Sequence, residues 1–237
     1  MVSTHALYMF EIDQSTRKPV PVWREAYERG AEQKAGTLSH GSGTSPTLIG
    51  DDLISIADDG SPRTHIMVYK RGRTVEGPRE ICKEPIFEPG KSATENSLVA
   101  YGNTLIVQND FGHDYNGNAL ETAPGVTRVD VNRTRDGCAT IWESDMQSQS
   151  LPRLSTATGL VYVYTFKLPF EGAKTDGWYL TAMDFETGLK IVQRRGEAMQ
   201  AAAAKVGEAQ SAHDEANRKL SDLAALRNAL ERTFADL

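Results

Sequence analysis

The residues of this chain best suited to chemistry are oxygen ligands gathered in short polar stretches: Asp58-Asp59, Glu95-Asn96, Asn109-Asp110 and His113-Asp114. Carboxylate and amide oxygens converging from several loops suit a hard cation, Ca²⁺ above all, which takes about six to eight oxygen ligands. On this reading Asp58, Asp59, Glu95, Asn96, Asn109 and Asp110 line a ligand-binding face, with Glu95, Asp110 and Asp114 as the metal ligands. The same residue types are also what tight turns are made of, and that plainer reading stands beside the first.

Other chemistries have less support. No Gly-x-Ser-x-Gly motif is present, and the five histidines are scattered at His5, His40, His65, His113 and His213. His40 and His113 fall in or beside the candidate loops, where a histidine is more often a loop residue than a general base. Cys82 and Cys138 lack the paired spacing of a zinc site. Both precede β-like segments and are read as separate thiols in preference to one disulfide, the alternative left open.

These loops need elements to position them, and the elements repeat. A short strand, a turn and an apolar strand recur as Ser45–Ile56, Asn96–Val107 and Arg153–Val163. Taking Leu53, Leu105 and Leu160 as equivalent, the intervals are 52 and 55 residues, about one propeller blade plus a long loop. A third strand follows each hairpin at Thr64–Tyr69, Val126–Val131 and Trp178–Phe185, and the opening Ala6–Ile12 matches these. Fourth strands are read at Val20–Trp23, Pro85–Phe87, Ala139–Trp142 and Leu189–Val192. Trp23, Trp142 and Trp178 occupy comparable strand positions and are expected to pack between blades. Repeated antiparallel four-stranded units predict an all-β fold, a β-propeller of about three and a half blades over residues 1–195. The hairpins turning at Gly50, Gly102 and Gly159 are expected to be innermost. A β-sandwich is the rival, but it does not ask for a hairpin at a steady interval.

From residue 196 to residue 237 the character changes. Gly207 is the only glycine after Gly196 and proline is absent, so propensity predicts a long helix. Val206, His213, Leu220, Arg227 and Phe234 lie seven apart, with Ala209, Ala216, Leu223, Leu230 and Leu237 at the alternating offset. That is an a/d seam, so residues 196–237 are expected to form an α-helical coiled-coil tail through which the chain self-associates.

The formal charge is -6, and with no run of basic residues nucleic acid is not an expected partner. No stretch approaches the roughly 18 apolar residues of a membrane span. The opening residues lack a basic segment followed by an apolar one, so no export signal is read and the start looks truncated or processed.

His5–Phe10, Gly41–Gly50, Ser92–Ser97 and Met183–Gly188 together resemble blades of bacterial quinoprotein-like β-propellers, the likeness covering roughly residues 4 to 195. The resemblance implies a ring of seven or eight blades and an extracytoplasmic location. Family members range from quinone-dependent dehydrogenases to assembly scaffolds. The adjacent-cysteine and tryptophan-docking signatures of the dehydrogenases are not seen here, and the chain holds about half a ring. The expected function is therefore a non-enzymatic binding or scaffold module with an unidentified ligand on the propeller face. The alternatives are a metal-dependent hydrolase or oxidoreductase using Glu95 and Asp110, or an inactive fragment of a longer propeller protein.

Overall fold

A computed structural model describes residues 1–114, 122–166, 178–195, 211 and 213–221. The chain divides into two compact units, Met1–Arg194 and Arg195–Leu237. Among the described residues the first unit is built from antiparallel strands arranged in four sheets. β1 (Ala6–Ile12) pairs with β2 (Pro19–Ala26). The second sheet is β3 (Thr47–Ile49), β4 (Leu53–Ala57), β5 (His65–Lys70) and β6 (Glu80–Pro85). The third is β7 (Val99–Tyr101), β8 (Thr104–Gln108), β9 (Val126–Val131) and β10 (Cys138–Ser144). The fourth is β11 (Arg153–Ser155), β12 (Leu160–Phe166), β13 (Trp178–Asp184) and β14 (Lys190–Arg195).

Each four-stranded sheet is a meander in chain order, opening with a tight hairpin. Ile49 pairs with Leu53 and Tyr101 with Thr104. The turns pass through Gly50 at φ 57° and Gly102 at φ 58°, left-handed values that a Cβ disfavours.

β4 and β8 are buried along their whole length, which explains why neither alternates apolar with charged residues: each is covered on both faces. Leu53 and Ala57 of β4 meet Leu105 and Val107 of β8 in one cluster. Ile54 and Ile56 point the other way, onto Leu7 of β1 and Trp23 of β2. Ile106 of β8 turns away from the second sheet onto Val161 and Val163 of β12 and Met183 of β13. The sheets thus stack face to face in chain order. Each such side chain is worth about 1.5–3 kcal/mol when fully buried.

Polar and aromatic contacts bind the same interfaces. Arg128 of β9 donates to the Phe185 carbonyl at 3.0 Å, pairs with Asp130 and Glu186, and lies 4.2 Å from the Phe185 ring centroid. Trp142 donates its indole N–H to the same carbonyl at 2.9 Å. A Cβ on Gly188 would fall 2.6 Å from that indole, so the turn closes on it only as glycine. Trp23 and Trp142 therefore pack between sheets, as their positions suggested, while Trp178 stacks on Tyr164 within the fourth sheet at 5.2 Å.

Two expectations need correction. Cys82 and Cys138 are not separate thiols: they form a disulfide joining β6 to β10, with Cα atoms 5.8 Å apart. In sequence the two lie 56 residues apart, and only the stacking of the second sheet on the third brings them together. The outer strand of the second sheet is Glu80–Pro85, not Pro85–Phe87. Its exposed, charged face gives little apolar signal, whereas Ile86 and Phe87 are fully buried because the chain there leaves the strand and turns into the core, Phe87 at φ 63°. The coiled-coil expectation for residues 196–237 falls mostly outside the described residues. Ser211 and residues 213–221 are helical, and Leu220 is 63% exposed.

Closing a loop of this length with a disulfide contributes about 2–4 kcal/mol. Reduction, or the double substitution of Cys82 and Cys138 by serine, is expected to lower unfolding free energy by that amount in urea titrations. The far-ultraviolet spectrum should remain that of a β protein.

Candidate functional site

At one end of the sheets, β4 and β8 run into equivalent acidic pairs. Ala57–Ile66 and Gln108–Val126 are the last partners of their ladders, so Asp58-Asp59 corresponds to Asn109-Asp110. The first member of each pair caps its turn. Asp58 Oδ1 accepts from the Gly60 and His65 backbone N–H groups at 3.0 and 2.7 Å, and Asn109 Oδ1 accepts from Phe111 and Ala93 at 3.1 and 3.2 Å. The second member holds the loop that leads into the sheet: Asp59 Oδ2 accepts from Gly41 N–H and Asp110 Oδ2 from Glu95 N–H. Short oxygen-bearing side chains are needed here because these backbone donors are otherwise unpaired in a buried setting.

The expected site residues thus fall at one end of their sheets, but most of their oxygens are committed. Asp110 is buried and accepts from Thr94, Glu95, Asn96 and Gln108. Burial raises its pKa, and those hydrogen bonds pull it partly back. Glu95 accepts from Leu38 N–H at 2.8 Å. Its pKa is raised by burial, with the charges of Asp110 and Asp59 adding to the rise. Gly43 passes directly against the Glu95 carboxylate, and a Cβ there would require that side chain to move. Asn96 and Asn109 act as donors within the same network. Asp114 is not grouped with Glu95 and Asp110 in any set of converging metal-ligand atoms among the described residues.

A cation does sit in this region, and it is covalent. The Lys34 ammonium donates to the Gly60 carbonyl at 2.6 Å, the Ser92 carbonyl at 2.9 Å and Thr64 Oγ1 at 3.0 Å, and lies 3.5 Å from Asp59 Oδ1. Two carbonyls, a hydroxyl and a carboxylate form the shell a metal ion would take, filled here by the chain's own side chain. Burial lowers the Lys34 pKa, opposed by Asp59 and Asp58, and burial raises that of Asp59, opposed by Lys34. The ammonium ties the β4–β5 loop to the segment entering the third sheet. Sequence inspection passed over Lys34, since nothing local marks a lysine whose hydrogen-bond acceptors lie 26 to 58 residues away.

Histidine placement divides. His40 donates through Nε2 to the carbonyls of Arg29 and Gly30, a loop role. His65, not singled out from sequence, has Nδ1 2.9 Å from Asp58 Oδ2. One ligand atom from each of Glu28, Asp58 and His65 lies within 4.8 Å of the others.

No family model matches the chain. A protein of Archaeoglobus fulgidus, described as an uncharacterized protein, is 27% identical over 199 residues, which is 71% of this chain and 38% of that protein. The chain therefore spans about two fifths of the length of that relative.

Replacing Lys34 by methionine leaves Asp59 buried without its counter-charge and is expected to cost about 3–5 kcal/mol near neutral pH. Protonating Asp59 removes the uncompensated charge, so the cost should shrink on acidification. In the unaltered protein, the raised pKa values of Asp59, Glu95 and Asp110 mean that the folded state holds protons the unfolded state releases. Their contribution is present below the raised values and lost as pH rises through them. The urea midpoint is accordingly expected to fall as pH rises from the ordinary carboxylate range through these raised values.

Proposed function

We propose that this chain is a propeller-type binding and scaffold module, part of a ring of the quinoprotein-like kind, whose loop-bearing end engages a ligand or partner. The observation that carries the reading is the repeated unit itself. Three meanders in chain order, β3 to β6, β7 to β10 and β11 to β14, stack face to face through separate apolar clusters. β1 and β2 contribute half a unit more at one end of the stack. The acidic loop residues favour binding over catalysis, because Asp58, Asp110 and Asn109 hold backbone in place and make a rigid surface. The disulfide supports an oxidising, extracytoplasmic setting of the sort the resemblance implies.

A partial stack leaves its terminal sheets without partners, and exposed sheet surface is an association hazard unless covered. Self-association completes the arrangement, with the a/d seam read from the sequence of residues 196–237 as the assembly element. Light scattering on the full chain is expected to give twice the 26.0 kDa protomer mass. A chain ending near Arg195 should fall to the monomer or precipitate. A monomeric full chain, with the shortened chain equally soluble and folded, would rule the assembly role out.

A further inference from the structure

We propose that Glu28, Asp58 and His65 form a binding site for one divalent transition-metal ion, separate from the acidic network of Glu95 and Asp110. The three groups each offer one ligand atom, all within 4.8 Å of one another. Backbone bonds place them before any ion arrives. The Glu28 carbonyl accepts from Asp59 N–H at 3.2 Å, fixing the chain at residue 28 beside Asp58. Asp58 and His65 are locked by two bonds, Asp58 N–H to the His65 carbonyl at 3.0 Å and His65 N–H to Asp58 Oδ1 at 2.7 Å. Asp58 therefore presents Oδ2 to the imidazole, and its side chain is wholly buried.

Gly60 leaves room beside the same pair: a Cβ there would fall 2.9 Å from His65 Nδ1 and 3.0 Å from Asp58 Oδ2.

The ligand chemistry selects the ion. Nδ1 and Oδ2 lie 2.9 Å apart and are hydrogen-bonded to each other, so an ion seated between them replaces that bond. An imidazole beside two carboxylates suits Mn²⁺ and its neighbours better than Ca²⁺, which favours oxygen throughout. Binding through Nδ1 requires that nitrogen to give up the proton it donates to Asp58. Lys83, whose ammonium lies 2.7 Å from Glu28 Oε2, competes for the site and must swing away.

Titration with Mn²⁺, read by loss of the free-ion paramagnetic resonance signal under non-reducing conditions, tests this on the full chain. We expect one ion per chain. Glu28→Gln, at an exposed position, should weaken binding at least about tenfold, the scale of losing a metal contact. Lys83→Met, which removes the competitor, should tighten it, and Ca²⁺ in equal amount should not displace Mn²⁺. Three results would overturn the proposal: no binding, binding indifferent to both substitutions, or binding seen only in Lys83→Met, which would make the lysine the site's native occupant.

Discussion

A sheet whose central strands are apolar on both faces cannot stand alone in water. β4 and β8 are such strands, and each is satisfied only because a neighbouring sheet covers each side. Everything else in the first unit follows from that requirement. Because the sheets must stack, Cys82 meets Cys138, Arg128 reaches Phe185 and Trp142 finds a carbonyl on the next sheet. Because stacking repeats in chain order, equivalent loops are delivered to the same end of each unit.

Those loops are then fixed by buried charge. Asp58 and Asp59 on one sheet, with Asn109 and Asp110 on the next, accept backbone N–H groups that would otherwise be orphaned. Lys34 adds a positive centre that spans two loop systems. Burying these groups is costly and tolerable only because each has partners. The result is a loop surface held by hydrogen bonds from below, suited to presenting a defined shape. It also brings Glu28, Asp58 and His65 within reach of one another.

Much of the strand content was legible because burial on two faces writes a distinctive pattern. Leu53–Ala57 and Thr104–Gln108 are rich in Leu, Ile and Val and carry no charge, the hairpin glycines need positive φ, and β9 matches the expected Val126–Val131. Outer strands were harder, since β6 alternates exposed charged residues with half-buried ones and carries too little apolar signal to outweigh Ile86 and Phe87. The candidate acids were found by residue type, but their task as backbone acceptors is invisible without the fold. Lys34, His65 and the cysteine pair were missed for one reason: their partners are distant in sequence, and composition carries no trace of that proximity.

Stacking makes the second and third sheets a single cooperative unit, neither stable without the face of the other. Native-state amide hydrogen exchange resolved by peptide tests it most directly. The middle strands β4, β5, β8 and β9 should share one opening free energy, and that shared value should fall in all four together when Leu105 is shortened to alanine. Opening of β4 and β5 at markedly lower free energy, while β8 and β9 stay protected, would contradict the claim.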